Sequence, residues 1–277
     1  MTILVFTLIL LVGAYMAGFL GSLTGLGGGV IIIPLLTLVF HVDIRYAIGA
    51  ALLASIATSS GAASAYVKEG ITNIRLGMFL EIATTIGAVI GAFIAIYMPT
   101  NAIAVIFGVV LIFSAAMTVR KKHEAKLTKG SKLSEKLKLN STYPVNGEKV
   151  SYQLTNVAGG FSLMTLAGVL SGLLGIGSGS LKVLAMDSTM KIPFKVSTTT
   201  SNFMIGVTAT ASAVVYLQRG YMDPGIAFPV VLGVLAGALT GAKILPKINP
   251  KILRIIFAVA ITAVAIEMII NGINHKF

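Results

Sequence analysis

The composition of the chain excludes a water-soluble globular protein. It has 277 residues, of which 56% are hydrophobic and only 11% charged, and its mean hydropathy is +0.94. A soluble domain carries about 25% charged residues. The net charge of +12 does not indicate a nucleic-acid partner, because most basic residues lie in one central loop and a few short connections. The absence of cysteine excludes a disulfide framework and a thiolate metal site.

Ten apolar stretches follow one another along the chain, five in each half. They cover about 3–22, 30–40, 47–66, 74–97 and 102–119, and then about 155–174, 180–190, 196–217, 224–244 and 252–270. A membrane-spanning helix needs about 20 apolar residues, so the second stretch of each half is too short to cross. We interpret 3–40 and 155–190 as helical hairpins or broken helices, each followed by three transmembrane helices.

A glycine motif recurs at an offset of 150 residues. Gly25-Leu26-Gly27-Gly28-Gly29 is matched by Gly175-Ile176-Gly177-Ser178-Gly179. The surrounding sequence repeats at the same offset, in pairs such as Gly18 and Gly168, Tyr66 and Tyr216, Gly87 and Gly237, and Gly91 and Gly241. Two related halves that are each interrupted by glycines within an apolar stretch are typical of secondary transporters. We therefore expect an all-α polytopic membrane protein with membrane repeats at 1–119 and 155–277.

Residues 120–154 form the only long polar stretch, which begins Arg120-Lys121-Lys122. The stretch has too few apolar residues for a core, so we expect a basic linker that could dock on anionic lipid headgroups. Placing it in the cytoplasm leaves most other Lys and Arg residues on the same side, as the positive-inside rule requires. Both termini then lie outside, and the two repeats are inverted because each contains an odd number of spans.

The two glycine breaks are candidate anion sites. Glycine permits positive φ and close approach of backbone. A helix that begins just after such a break presents unpaired N–H groups and a positive dipole end. The predicted substrate-binding residues in the breaks are Gly25, Gly27, Gly28, Gly29, Gly175, Gly177, Ser178, Gly179 and Ser180. The alternative is close helix crossing, which alone explains the pairs Gly87/Gly91 and Gly237/Gly241.

Three polar side chains after the second break are further candidates. Lys182 lies within an apolar stretch, where a basic residue usually marks a transport pathway, unless it snorkels to the interface. The run Ser197–Asn202 offers hydroxyl groups and an amide that could replace water around an anion. From this run we select Thr199 and Asn202 and interpret the other hydroxyls as structural.

Two carboxylates, Glu81 and Glu267, lie within apolar helices. We expect each to pair with Lys or Arg at a membrane interface; the alternative is a role in proton coupling. His41, His123 and His275 all fall in connections or tails. With no histidine beside a mid-membrane serine, and no HExxH or paired-Asp motif, we expect neither an enzyme nor a metal or other cofactor.

The repeated motif resembles the TauE/SafE family of sulfite-exporter-like permeases. The likeness rests on Gly25–Pro34 and Gly175–Lys182 and covers nearly the whole chain. It implies a carrier in the cytoplasmic (inner) membrane for a small sulfur-containing anion such as sulfite, sulfoacetate or another organosulfonate. Together with the two breaks, it predicts a secondary transporter that binds its substrate between them, with a proton or sodium ion as a possible coupling ion. An anion channel and a non-transport membrane assembly factor are the alternatives.

Overall fold

The computed structural model describes residues 3–24, 27–68, 70–119, 130–145, 148–244 and 250–276. The first-half helices are α1 (Ile3–Thr24), α2 (Gly29–Pro34), α3 (Ile44–Lys68), α4 (Ile74–Tyr97) and α5 (Thr100–Val119). A short helix α6 (Lys132–Lys136) and strands β1 (Ser141–Val145) and β2 (Glu148–Tyr152) follow. The second half contains α7 (Val157–Leu174), α8 (Gly179–Leu184), α9 (Phe194–Gln218), α10 (Pro224–Ile244) and α11 (Pro250–Ile273).

Long apolar helices dominate this architecture. Six of the described helices are long and apolar enough to cross a membrane, namely α1, α4, α5, α7, α9 and α10. Their outward surfaces carry large hydrophobic side chains, among them Ile82, Ile86 and Ile90 along one face of α4. A face of this kind is stable against lipid and not against water. The predicted class, a mainly helical multi-pass membrane protein, is confirmed.

The broken elements are the same in both halves. In each, a long helix ends at the glycine motif, a six-residue helix follows, and one π-helical segment closes the element, at Leu35–Val39 after α2 and at Ala185–Thr189 after α8. The sequence did not predict the π segments. Pro34 precedes the first of them, but Leu184 stands at the equivalent place before the second. Proline is therefore not required for this change of helical winding.

Glycines bring helices of one half into backbone contact with helices of the other. A Cβ atom on Gly87 or Gly91 of α4 would overlap the backbone oxygens of Thr165 or Val169 in α7. Only a hydrogen side chain allows two helices to lie so close. The expectation that these glycines serve helix crossing is confirmed.

The equivalent contact recurs between α10 and α1. A Cβ atom on Gly237 would overlap the backbone oxygen of Tyr15, and one on Gly241 would lie 2.8 Å from that of Phe19. All four positions are those of the α4–α7 contact shifted by 150 residues. Each half thus packs its last-but-one long helix against the first helix of the other half.

Helices α3 and α9 cross at the centre of the protein. The Ser59 hydroxyl of α3 donates to the backbone oxygen of Asn202 in α9 at 2.5 Å and accepts from the N–H of Gly206 at 3.0 Å. The buried faces of both helices are rich in small residues, including Ala51 and Ala54 in α3 and Ala209 in α9. This crossing carries the positions on which both glycine breaks pack.

The second part of the polar stretch is folded rather than a bare tether. Strands β1 and β2 form an antiparallel hairpin, and Tyr152, Leu139 and Leu154 pack into a buried cluster with Leu76 of α4. The amide of Asn73 caps α4 and donates to the Leu139 oxygen at 2.9 Å and to the Tyr152 hydroxyl at 2.8 Å. Burial raises the pKa of Tyr152 to about 12. The expectation that this stretch contributes nothing to a core was wrong for 139–154, and residues 120–129 lie outside the described part.

We predict that Gly91→Ala destabilises the protein. The new methyl group would meet the Val169 oxygen and force α4 and α7 apart. Overpacking of this kind costs about 1–3 kcal/mol. The matched control is Gly61→Ala in α3, where a Cβ has its nearest neighbours at 3.6–3.8 Å. Thermal unfolding in detergent should show a lower midpoint for the first variant only; equal midpoints would contradict the backbone contact.

Candidate functional site

The two glycine breaks lie against each other at the centre of the protein. A Cβ atom on Gly29 would be 2.9 Å from the backbone oxygen of Gly175, and one on Gly27 would be 3.9 Å from that of Ile176. Gly27, Gly175 and Gly177 all have positive φ, between 68° and 82°, which explains the need for glycine. Gly25 lies outside the described residues. The breaks that the sequence places far apart thus form one region.

Backbone and hydroxyl groups of α3 pack on the first break. The N–H of Gly28 donates to the Thr58 hydroxyl at 3.2 Å. A Cβ on Gly29 would lie 2.8 Å from the Ser55 hydroxyl oxygen. Ser55 and Thr58 are fully or almost fully buried, and they are three residues apart on one helical face. The first break therefore faces two hydroxyl groups of α3, with the Val234 side chain of α10 beside Gly28.

Three buried polar atoms in this region have no hydrogen-bond partner among the described residues. They are the hydroxyl oxygens of Ser55 and Ser178 and the amide nitrogen of Asn202. Ser178 is part of the second break, with φ +46°, and Asn202 lies in α9 where it meets Ser59 of α3. A buried donor without a partner costs about 1–3 kcal/mol, so these three atoms are places where an ordered water, an ion or a ligand would be stabilised.

Sequence reasoning selected Ser178 and Asn202 but not Ser55. Ser55 belongs to the same repeat position as Ile205 in the second half, so the repeat gave no reason to select it. The signal that could have found it is its register. It lies seven residues after Ile48, which the second break contacts, so both residues share one face of α3.

Other predicted residues have hydrogen bonds elsewhere. The Ser180 hydroxyl shares a hydrogen bond of 2.7 Å with the Ser114 hydroxyl of α5. The Thr199 hydroxyl donates within its own helix, to the oxygens of Lys195 and Val196. The backbone oxygen of Gly179 accepts from the Ser201 hydroxyl at 3.1 Å and so ties the second break to α9.

Lys182 is completely buried and is connected to Glu81 through Thr208. Its ammonium group donates to the Thr208 hydroxyl at 2.5 Å, and that hydroxyl donates to Glu81 Oε1 at 2.6 Å. Thr208 lies near the middle of α9, which places the group well inside the protein. The snorkelling alternative for Lys182 therefore does not hold.

Glu81 is 5% exposed and is held by more than one threonine. The Thr85 hydroxyl donates to the same carboxylate oxygen at 3.3 Å, while Glu81 Oε2 has no hydrogen-bond partner in the described part of the chain. Glu81 is thus associated with a basic residue, but through the Thr208 hydroxyl and inside the helix bundle rather than as the interfacial pair expected from the sequence. By contrast, Glu267 of α11 is exposed.

The charged pair joins the two halves, and neither of its members has a charged counterpart in the repeat. At the offset of the repeat, Lys182 corresponds to Ile32 and Glu81 to Val231, whereas Thr208 corresponds to Thr58. The two threonines occupy equivalent places and do different work: Thr58 accepts from a backbone N–H of the first break, and Thr208 joins two charged side chains. Within the described residues, no group of three or more His, Asp or Glu side chains could hold a metal ion.

These features define a multi-pass membrane protein with two glycine-broken elements meeting at its centre. Residues 9–268 match the sequence profile of the family described as "Sulfite exporter TauE/SafE". The chain belongs to this family of membrane transporters.

Similar curated proteins carry transporter names. The chain is 31% identical over 232 residues to "Probable membrane transporter protein YunE" of Bacillus subtilis, covering 81% of this chain and 83% of that protein. It is 27% identical to "Probable membrane transporter protein YdhB" of the same organism, over 80% of this chain and 83% of that one. It is 26% identical to "Probable membrane transporter protein MJ0441" of Methanocaldococcus jannaschii, over 79% and 76%. No solved structure matches.

We predict that Lys182→Met lowers thermal stability by more than the double variant Lys182→Met with Glu81→Gln does. The single change leaves a buried carboxylate without its cation, which costs about 3–5 kcal/mol. The second change removes that charge. The control is Lys195→Met, an exposed lysine in the first turn of α9. If the midpoint of the double variant falls by the sum of the changes in the two single variants, the two side chains are not coupled.

Proposed function

We propose that this protein is a secondary transporter that carries a small sulfur-containing anion, such as sulfite, sulfoacetate or another organosulfonate, across the cytoplasmic membrane. The substrate class rests on the family and on the chemistry of the central region. The observation that carries the proposal is the meeting of two glycine breaks beside three buried donors, on Ser55, Ser178 and Asn202, that have no partner in the part of the chain that the structure describes.

The donors favour an anion over a cation. An anion that enters the membrane loses water, and donors and positive potential must replace its hydration. Hydroxyl and amide N–H groups supply donors. The glycines with positive φ allow the backbone of the breaks to approach a ligand closely. Lys182, which carries a positive charge, follows the second break by only three residues. A sulfonate or sulfite has several oxygens, so it can accept from donors on both breaks at once.

In carriers built from two related halves, the site lies between the halves, and alternating access follows when one half moves against the other. The helix directions of this protein support an inverted relation of repeats 1–119 and 155–277. Near the start of α3, Gly49 lies against Tyr221, just before α10. Further along, Gly61 lies against Ala238 of α10. Helices α3 and α10 therefore run in the same direction. Since α4 follows α3 back across the membrane, α10 runs opposite to α4, its equivalent in the repeat.

The basic linker 120–154 then lies on the cytoplasmic side of the inner membrane and both termini lie outside. The folded hairpin is consistent with this arrangement, because it packs on Asn73 and Leu76, at the connection between α3 and α4. In the inverted scheme this connection faces the same side as the linker.

We predict that single cysteines at Lys276 and Lys149 label from opposite sides of the membrane. Both lysines are exposed and the chain has no other cysteine. A membrane-impermeant maleimide should modify the first on intact cells and the second only on inverted vesicles. A cysteine at Lys132 is the control and should follow Lys149. Labelling of Lys276 and Lys149 from the same side would contradict the inverted repeats.

We predict that Asn202→Leu weakens anion binding while it preserves or raises thermal stability. Leucine has a similar volume, stands at the equivalent position 52, and removes a buried donor for which the described residues offer no partner. Binding is measured as the shift in unfolding temperature with sulfite, thiosulfate, sulfoacetate, methanesulfonate, sulfate or a carboxylate, since a ligand of the folded state stabilises it.

The control for that variant is Ser60→Ala, whose exposed hydroxyl donates only to Ile56 of its own helix among the described residues. An unchanged ligand-induced shift in Asn202→Leu would remove Asn202 from the site. Flux into proteoliposomes distinguishes the remaining functions. Uphill accumulation under an ion gradient excludes an anion channel, and no flux of any anion would favour an assembly role.

A further inference from the structure

We propose that Glu81 is the proton-binding residue of this carrier and that one proton is taken up for each monovalent anion bound. The inference rests on the proposed anion site and adds the identity of the coupling ion and the residue that carries it. Its basis is the buried chain formed by Lys182, Thr208 and Glu81.

The hydrogen bonds that join Lys182 to Glu81 run in one direction. An ammonium group can only donate, so Lys182 Nζ donates to Thr208 Oγ1. The threonine has one hydroxyl proton, and its shortest contact with an acceptor is the 2.6 Å bond to Glu81 Oε1. The Glu81 carboxylate therefore accepts a hydrogen bond from the Thr208 hydroxyl, which itself accepts one from the Lys182 ammonium group. Lys182 is the charged group that interacts with the Glu81 carboxylate.

Anion binding changes the net charge of the buried region around Lys182 and Glu81. Without an anion, the positive charge of Lys182 and the negative charge of Glu81 cancel in the interior. A monovalent anion bound at the breaks adds one negative charge to the same buried region. An uncompensated buried charge costs several kcal/mol. A proton from bulk water that binds the Glu81 carboxylate restores neutrality, and Lys182 is then left to balance the anion.

Among the described groups near Glu81, none is better placed than Glu81 to compensate the charge of the bound anion. On the described parts of the helices that pack around Glu81 and on the second π segment, the other charged or titratable side chains are Arg75, Tyr97, Asp187, Lys195 and Tyr216. Arg75, Tyr97 and Lys195 are exposed near helix ends, and Asp187 in the π segment is partly exposed, whereas Glu81 is buried. The buried Tyr216 hydroxyl donates to the oxygens of Gly172 and Leu173. Glu81 is thus placed to take the proton.

The consequence is that proton and anion move in the same direction. The empty carrier is neutral with the pair charged, and the loaded carrier is neutral with Glu81 protonated. A carrier holding the anion alone, or the proton alone, buries a net charge and reorients rarely. Net movement then follows the combined gradients of the two ions, and an acidic exterior drives the anion inward.

The test is proton uptake on ligand binding. Methanesulfonate is the probe, because it stays a monovalent anion at every pH at which the protein is folded, so any proton taken up belongs to the protein. Binding enthalpy is measured in sodium-free buffers of different ionisation enthalpy, and the slope gives the number of protons. We expect a slope near one for wild type and near zero for Glu81→Gln, in which the amide can still accept from Thr208.

Glu267→Gln is the matched control, since Glu267 is an exposed carboxylate within an apolar helix, and it should behave as wild type. In proteoliposomes an acidic exterior should drive uphill uptake of methanesulfonate with wild type and Glu267→Gln, and only downhill flux with Glu81→Gln. Thermal unfolding checks that each variant is folded.

Three results would count against the proposal. Wild type that binds methanesulfonate with a slope near zero overturns proton coupling and leaves the anion site intact, and this result needs no variant. A Glu81→Gln variant that keeps the wild-type slope moves the proton to another residue and overturns the assignment. No binding of methanesulfonate by folded wild type overturns the proposed coupling to this anion, and if sulfite and sulfoacetate also leave the unfolding temperature unchanged, the anion site fails with it.

Discussion

Backbone that is not helical needs hydrogen-bond partners, and lipid offers none. This constraint explains why both glycine breaks lie in the interior, where α3 and α9 supply hydroxyl groups. Thr58 accepts from Gly28, and Ser201 donates to Gly179. The helices around them are held close by glycines at which no side chain would fit. The tight crossings therefore exist to enclose a region that cannot face the membrane.

The repeat supplies this framework twice, but the charges occur once. Thr58 and Thr208 show the difference most clearly, because the same residue at the same place binds backbone in one half and joins Lys182 to Glu81 in the other. A duplicated scaffold with one charged pair has two mechanical halves and a single electrostatic centre. In the alternating access proposed above, closure of either side would act on the same buried pair.

The sequence predicted the elements better than their contacts. The repeat and the apolar stretches gave the long helices and the two breaks, because length and hydropathy are local properties. The π segments and the folded hairpin were missed, since Leu139, Tyr152 and Leu154 are too scattered to indicate a core before their partner Leu76 is known. Lys182 and Glu81 were each noticed, but their union through Thr208 depends on three helices and could not be seen in any one of them.

The pairing of α1 with α10 bears on how the chain is assembled during synthesis. α1 is synthesised well before its partner, because the helix that fits its glycine-lined face is made more than 200 residues later. Until α10 is made, the face of α1 that packs on α10 has no partner, and the first glycine break is not enclosed by the other half. Contacts of such wide sequence separation form late and slowly. The nascent first half therefore exposes backbone that is enclosed only in the finished protein, and a chain truncated before α10 is expected to be unstable in the membrane.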